Sequence, residues 1–209
     1  MASDHFRIHR PKSNDDATAE EVQRVAFVSF DIVGHSKAKD HEVQIARIKQ
    51  LNALVRQTID ECGTNNIVWA SGGDGGHVAF FQNAWQLRAI DLIVRLKRWS
   101  HSDGVPVRVV GHVGDVQRIE GADGRIQLVG YGINLAGRLL GEGFSSGVIA
   151  SKEFKQSLEQ VEPDGATFAH SRILMLRHFG PKQVHLLSVA SKFGSTWDAS
   201  SSERTANCS

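Results

Sequence analysis

The stretch W-A-S-G-G-D-G-G-H-V-A-F-F, residues 69–81, sets a single carboxylate, Asp74, in the middle of a glycine cluster. The apolar residues on either side of the cluster predict two short strands, so the stretch indicates a β-hairpin with Asp74 at its tip. The neighbouring glycines permit unusual backbone torsions and leave the space around the carboxylate open. An ordinary hairpin turn would explain this stretch alone, so its meaning depends on the elements around it.

A buried strand and a long helix precede the hairpin. Residues 24–33, R-V-A-F-V-S-F-D-I-V, predict a buried strand with a second acid, Asp31, near its end. After the following G-H-S, apolar residues recur at helical spacing between Val43 and Ile59. That spacing predicts a long amphipathic helix, which Gly63 ends.

Strands and helices continue to alternate after the hairpin. Residues 85–96 predict a second helix, residues 105–116 a second central strand and residues 133–140 a short helix. A strand, another short helix and a closing hairpin follow. The order strand, helix, hairpin, helix, strand predicts an α/β (α+β) domain with a ferredoxin-like βαββαβ core.

The composition is that of one soluble globular domain. The 209 residues are 41% hydrophobic and 22% charged, and the net charge of +1 provides no field for nucleic acid or an anionic membrane. Two cysteines give no disulfide framework, and no apolar stretch has the length of a membrane span or the form of a signal peptide. We therefore expect a cytoplasmic protein with a flexible arm over residues 1–20, one domain over residues 21–190 and a disordered tail over residues 191–209.

The order of elements places Asp31 and Asp74 on neighbouring strands of the predicted sheet. Two carboxylates there can share two divalent cations, an arrangement that suits phosphoryl or nucleotidyl transfer. Mg²⁺ binds with one or two carboxylates and completes its shell with phosphate oxygens and water, so two acids suffice. Backbone N–H groups at the start of a helix bind phosphate well. This predicts phosphate contacts in the segment after the first strand, at Val33, Gly34, His35 and Ser36.

A second group of polar residues lies in V-G-Y-G-I-N-L-A-G-R-L-L, residues 129–140. Asn134 and Arg138 are four residues apart, so a helix presents them on one face. Arginine can stabilise charge that develops on a phosphate, and asparagine can orient a ribose. An ordinary helix with a solvated arginine is the alternative interpretation.

Taken in order, four motifs resemble the class III nucleotidyl cyclase catalytic domain. The resemblance covers residues 24–189, and its motifs are D-I-V-G-H-S, S-G-G-D-G-G, V-R-V-V-G-H-V-G-D-V and Y-G-I-N-L-A-G-R-L. It implies a head-to-tail homodimer with composite active sites. It also implies that Asp31, Asp74 and the backbone carbonyl of Ile32 hold two Mg²⁺ or Mn²⁺ ions, while Asn134 and Arg138 come from the partner subunit.

The resemblance implies a cyclisation reaction. The ribose 3′-oxygen attacks the α-phosphorus of a nucleoside triphosphate and expels pyrophosphate. Ser36 matches the family's phosphate-contacting hydroxyl, and His112 matches a histidine for which we expect a structural role. The family often has a lysine near the end of the domain that grips the triphosphate, and here Arg177 or Lys182 could serve.

Three positions bear on the base that is recognised. Adenylate cyclases of this family usually carry lysine four residues before the second metal aspartate, and guanylate cyclases carry glutamate, but here the residue is Ala70. The position seven residues before the asparagine is usually aspartate or cysteine, and here it is Gln127. Strand alternation puts Phe27 on the same face as Asp31, where it would either border the base pocket or pack in the core.

A short, stand-alone cyclase without the purine determinants resembles the bacterial pyrimidine cyclases of Pycsar anti-phage defence. That likeness implies conversion of UTP to cyclic UMP, which would activate a separate cyclic-nucleotide-sensing effector. A cytidylate or purine cyclase in ordinary signalling is the main alternative. A diguanylate cyclase is disfavoured because Gly75 replaces the second acid of the G-G-D-E-F motif. An inactive cyclase-like module that only dimerises or binds a nucleotide is also disfavoured. The chain retains the two acids, and it retains Asn134 and Arg138 as well.

Overall fold

The computed structural model describes residues 21–37, 39–142, 147–161, 163, 165–190 and 196–197. The predicted arm over residues 1–20 and nearly all of the predicted tail over residues 191–209 lie outside the described residues. Within the described residues, no helix is long and apolar enough to cross a membrane.

The described strands form a single mixed sheet with helices packed against it. In chain order the elements are β1 Gln23–Ile32, α1 His41–Cys62, β2 Ile67–Ser71, β3 Gly75–Phe80, α2 Gln86–Ser102, β4 Val107–Glu120, β5 Ile126–Val129, α3 Tyr131–Gly141, β6 Val148–Ser151, α4 Lys152–Glu159, β7 Ala166–Leu176, β8 Gly180–Ala190 and β9 Thr196–Trp197. The main strand order is β2-β3-β1-β4-β6-β8-β7. The first four strands pair antiparallel as β2-β3-β1-β4, which confirms the predicted ferredoxin-like βαββαβ core.

The central strand, β1, is buried on both faces, as its continuous apolar sequence predicts. On one face, Phe30 belongs to a core that includes Leu51 of α1 and Leu92 of α2. On the other face, Phe27 packs in a cluster with Ala136 of α3. Burial of each large side chain contributes about 1.5–3 kcal/mol, so this strand anchors both layers of the domain.

The ends of α1 follow from side-chain and backbone chemistry. At its start, Asp40 accepts hydrogen bonds from the backbone N–H groups of Glu42 at 2.8 Å and Val43 at 3.4 Å. At its end, Gly63 adopts a positive φ of 84° that favours glycine. The segment after β1 does not open α1 directly, because His35–Lys37 forms a separate 3-10 turn. The segment after β1 therefore lies ahead of a separate turn and not at the first residues of α1, while the phosphate contacts expected of it stay a prediction.

The far end of β4 carries an additional hairpin that the sequence did not predict. β4 continues to Glu120, and β5 pairs with it in the register Gln117↔Val129. We call β5 and the part of β4 that pairs with it the β4–β5 arm. Its side chains Ile119, Ile126 and Val129 are exposed. Because three of the four side chains of β5 are exposed, its pattern is not that of a buried strand.

Candidate active site

The two acids meet where β1 ends beside the tip of the hairpin. β1 and β3 pair antiparallel with Asp31 opposite Gly75. The backbone N–H of Ile32 donates a hydrogen bond to the carbonyl of Asp74, with an N···O distance of 3.0 Å. The hairpin tip is therefore held against the end of β1, and the predicted juxtaposition of the two residues is present in the structure.

Glycine is required in this hairpin because neighbouring backbone comes very close. A Cβ atom at Gly75 would lie 2.0 Å from the carbonyl oxygen of Phe30. Gly76 has a φ of 154°, and a Cβ there would lie 2.3 Å from the carbonyl oxygen of Ala70. The glycines thus let β3 approach both of its neighbours closely and bring Asp74 beside β1.

Sequence analysis did not identify Arg108 as a residue of this site. Arg108 lies opposite Asp31 in the β1–β4 pairing, and its guanidinium donates two hydrogen bonds to that carboxylate, Nε to Oδ1 at 2.8 Å and Nη2 to Oδ2 at 2.5 Å. The hydrogen bond to Asp31 raises the pKa of Arg108 against the opposing effect of burial, and the charges of Asp31 and Asp74 add to the increase. Both acids therefore act on one cation.

The oxygen donors at this place fit a hard divalent cation. Among the described residues there is no group of three or more His, Cys, Asp and Glu side chains that could hold a metal ion. A metal here would depend on Asp31, Asp74 and the backbone carbonyl of Ile32, with the remaining ligands from water or a phosphate, as Mg²⁺ and Mn²⁺ accept. Asp31 on β1 lies between the hairpin tip that carries Asp74 and Arg108 on β4, so a metal here would share the Asp31 carboxylate with a guanidinium.

The segment after β1 offers fewer phosphate donors than expected. The backbone N–H of Val33 donates to the carbonyl of Pro106 at 2.9 Å, so the expectation that Val33 binds phosphate is wrong for this N–H group. Gly34 has a φ of 70° and is exposed at the turn. His35 Nδ1 is buried without a hydrogen-bond partner among the described residues, and Ser36 is exposed. Ser36 thus remains accessible to a ligand.

Asn134 and Arg138 lie on one side of α3, as their spacing predicts, and the structure shows that both are exposed. The opposite side of this helix is buried and includes Leu135 and Leu139. A Cβ atom at Gly132 would lie 2.7 Å from the backbone of β4, so the helix packs directly on the sheet. The two polar side chains are therefore presented to solvent by a firmly held helix.

Lys182 lies next to the start of α3. Its Nζ is 5.8 Å from the centre of the Tyr131 ring, and Tyr131 also packs against Phe179 with ring centroids 5.0 Å apart. Tyr131 precedes Asn134 by one helical turn, so both lie on neighbouring parts of one face. Of the two candidate cations near the end of the domain, Lys182 is thus the one with an observed contact to the helix that carries Asn134.

Two of the predicted base-reading residues line a single cleft. Ala70 of β2 and Gln127 of β5 border a cavity of about 1040 Å³ between α1 and the β4–β5 arm. Asn52 and Arg56 of α1 line the same cleft, and so does Trp69. Sequence analysis missed the two α1 residues, although their spacing of four places them on one helical face.

Phe27 does not border this cleft. Its ring is fully buried and stacks on His112, with centroids 6.3 Å apart and planes 12° apart. The expectation that Phe27 contacts the base is corrected, because the ring has no exposed surface and the alternative of core packing accounts for it. His112 is itself 3% exposed, and burial lowers its pKa to about 4.

Solved cyclase domains share this fold, although neither a protein-family model nor a curated protein matches the chain. The guanylate cyclase domain of RhGC from Catenaria anguillulae in complex with GTP is 12% identical, with a TM-score of 0.64 over 82% of this chain and 100% of that one. Monomeric adenylate cyclase from Trypanosoma brucei is 16% identical, with a TM-score of 0.64 over 84% and 94%. The adenylyl cyclase CyaB from P. aeruginosa is 19% identical, with a TM-score of 0.55 over 82% and 98%. The chain therefore has the fold of class III nucleotidyl cyclase catalytic domains.

Proposed function

We propose that the protein is a nucleotidyl cyclase that converts a nucleoside triphosphate to a 3′,5′-cyclic nucleotide and pyrophosphate. The observation that carries this proposal is the convergence of Asp31, Asp74 and Arg108 at the end of β1. In the reaction, the ribose 3′-oxygen forms a bond to the α-phosphorus, the bond to the pyrophosphate oxygen breaks, and the 3′-hydroxyl proton leaves to solvent.

In this proposal the residues at the end of β1 and at the hairpin tip bind and orient the triphosphate. Bound Mg²⁺ or Mn²⁺ would supply Lewis-acid activation of the 3′-hydroxyl and charge neutralisation on the phosphates. Asp31, Asp74 and the carbonyl of Ile32 would provide the protein ligands to the metal. Ser36 is exposed near the end of β1 and can donate its hydroxyl to a phosphate oxygen.

A second copy of the chain completes the site in this proposal. Asn134 and Arg138 are exposed, and a head-to-tail homodimer would bring them to the acids of the partner subunit. Arg138 would then stabilise the charge that develops at the α-phosphorus, and Asn134 would orient the ribose. Exposed apolar side chains on the β4–β5 arm and at Tyr131 support a protein-covered surface in this region.

We assign the basic side chain that binds the triphosphate to Lys182 and not to Arg177. Lys182 is half-buried against Tyr131 at the start of α3, while Arg177 is exposed in the turn between β7 and β8. The packing of Tyr131 on Phe179 fixes the hairpin relative to the helix. A lysine at that position can act with Arg138 on one substrate.

For the substrate we propose UTP, with cyclic UMP as a second messenger in bacterial anti-phage defence that acts through a separate effector. The support is that Ala70 and Gln127, which replace both purine determinants, line the same cleft. The Gln127 amide offers one acceptor and two donor hydrogens, which suits the edge of a pyrimidine. A purine cyclase is the second candidate, because the similar solved structures are described as guanylyl and adenylyl cyclases.

A turnover assay tests both the cyclase activity and the choice of UTP as the substrate. Purified protein is incubated with Mn²⁺ and each of ATP, GTP, CTP and UTP, and the products are identified by mass spectrometry. We expect cyclic UMP from UTP and no product from Asp74→Ala, which should remain folded by circular dichroism because the hairpin tip is not core. Cyclic AMP or cyclic GMP alone would reject the pyrimidine assignment, and unchanged turnover in Asp74→Ala would reject the metal site.

A further inference from the structure

The ion pair between Arg108 and Asp31 occupies both oxygens of a carboxylate that the proposed function assigns to a metal. Arg108 is fixed in the middle of the sheet by the register of β1 and β4, directly opposite Asp31. The two side chains are 27% and 21% exposed, so solvent only partly screens the pair. A bidentate guanidinium–carboxylate pair of this kind is among the stronger polar interactions in proteins.

Asp74 reinforces the same arrangement. Its negative charge, like that of Asp31, acts favourably on the Arg108 guanidinium. One arginine thus offsets part of the negative charge at the end of β1, where two carboxylates would otherwise repel each other. A divalent cation that binds at Asp31 competes with the two N–H···O hydrogen bonds for the carboxylate oxygens and meets the positive charge of Arg108 at close range.

We propose that Arg108 is an internal counter-ion that keeps the affinity for divalent cations low until a nucleoside triphosphate binds, an inference that rests on the proposed function. The triphosphate offers the guanidinium alternative anionic oxygens in a bidentate geometry that arginine recognises well. Transfer of Arg108 from Asp31 to a phosphate leaves the carboxylate free for a cation. Metal and nucleotide therefore bind with positive coupling, and by linkage each raises the affinity for the other by the same factor.

The coupling has a consequence for the protein without nucleotide. Removal of Arg108 leaves Asp31 and Asp74 uncompensated, which destabilises the metal-free fold and strengthens its attraction for Mn²⁺. A purely structural clamp between β1 and β4 would predict the first effect without the second. Mn²⁺ binding to the nucleotide-free protein consequently distinguishes the two roles.

The test measures Mn²⁺ binding by electron paramagnetic resonance of the free ion, with wild type and Arg108→Gln. Without nucleotide we expect the variant to bind Mn²⁺ on the order of tenfold more tightly than wild type. In wild type, the non-hydrolysable α,β-imido analogue of UTP or of GTP, tried in parallel, should raise Mn²⁺ affinity by more than it does in the variant. Equal or weaker Mn²⁺ binding by nucleotide-free Arg108→Gln would overturn the proposal.

Control variants distinguish a specific counter-ion role of Arg108 from the general effects of losing a positive charge or of misfolding. Arg118→Gln removes a cation from the same strand, where Arg118 lies over Phe81 at 4.4 Å, and should leave Mn²⁺ affinity unchanged. If Arg108→Gln does not fold, Arg108→Lys keeps the charge but loses the two parallel hydrogen bonds of the guanidinium, and we expect it to bind Mn²⁺ more tightly than wild type does. Thermal unfolding provides a second measurement, because Mn²⁺ should raise the midpoint of Arg108→Gln more than that of wild type.

The outcomes also separate this inference from the proposed activity. Cyclic-nucleotide formation by wild type, together with Mn²⁺ binding that does not respond to Arg108→Gln, contradicts the counter-ion role alone. Absence of any cyclic product, together with tighter Mn²⁺ binding by the variant, contradicts the cyclase activity and leaves the coupling of Arg108 to a cation site intact.

Discussion

At the scale of single residues, burial determines the charge state of His112. The ring is stacked on Phe27, and neither of its nitrogens has a hydrogen-bond partner among the described residues. Desolvation lowers its pKa from 6.5 to about 4, and the negative charge of Glu153 opposes this effect only in part. The folded protein therefore holds a neutral imidazole at pH 7, whereas an unfolded chain takes up a proton below about pH 6.5.

The fold should consequently lose stability as the pH falls from 6.5 towards 4. Because the unfolded state binds more protons in that interval, His112 lowers the free energy of unfolding by about 2 kcal/mol between pH 7 and pH 5. Burial also lowers the pKa of His77, which acts in the same direction. Above pH 7 neither histidine contributes a pH dependence.

Urea unfolding at pH 5, 6 and 7, at one fixed protein concentration, measures this effect. The variant His112→Gln keeps a polar side chain without a titrating ring, and its unfolding free energy should fall by about 2 kcal/mol less than that of wild type over the same range. Parallel pH dependences for the two proteins would show that His112 does not titrate differently on unfolding.

At the scale of elements, the sequence predicts the strands and helices that have a clear local pattern. It does not predict the features that depend on which strands pair and in which register. β1 follows from a continuous apolar run, α1 from helical spacing with a terminal glycine, and the β2–β3 hairpin from its glycine cluster. β5 was missed because its exposed side chains acquire strand structure only through pairing with the end of β4. Arg108 was missed for a related reason, since its contact with Asp31 depends on strand register, which is set by tertiary structure.

The hairpin also shows why its glycines are not interchangeable. A Cβ at Gly75 would lie 2.0 Å from the Phe30 carbonyl oxygen, a distance that real Cβ atoms do not adopt. At Gly72 the nearest atom would be 3.6 Å away, the carbonyl oxygen of Gly75, which is ordinary van der Waals contact. The first substitution has to push β3 away from β1, and the second does not.

We therefore expect Gly75→Ala to lower the free energy of unfolding by about 1–3 kcal/mol or more, as overpacking does elsewhere. It should also abolish turnover, because Asp74 would move away from Asp31. Gly72→Ala, the control, should change stability by less than about 0.5 kcal/mol. Chemical denaturation and the cyclase assay measure both quantities, and equal behaviour of the two variants would contradict the assigned hairpin geometry.

At the scale of the whole molecule, the two faces of the sheet differ in how completely this chain covers them. Helices α1 and α2 pack over one face and form a large core with it. On the other face, α3 covers part of β1 and β4, and exposed apolar side chains continue along the β4–β5 arm to Tyr131. The exposed Asn134 and Arg138 belong to this second region. A second copy of the chain docked there would bury apolar surface and complete the proposed site in one step.

An active site built from residues of two subunits predicts that two different inactive variants restore activity when they are mixed, which a site within one chain does not predict. Asp74→Asn removes a metal ligand but retains Asn134 and Arg138, and Arg138→Ala has the opposite defect. Each variant alone should be inactive or nearly so, since loss of one such charge-stabilising donor costs roughly a hundredfold to a thousandfold in rate. In a mixed dimer, one site carries both defects and the other carries none.

Equal amounts of the two variants, co-expressed and assayed together, should therefore regain activity. Random pairing makes about half of the dimers mixed, and each mixed dimer has one intact site of two, so the mixture should reach about a quarter of wild-type activity per chain. The restored activity should fall on dilution if the subunits separate. A mixture that stays as inactive as its components would contradict the composite site, because Asp74 and Arg138 acting within one chain leave no pairing of subunits with an undamaged centre.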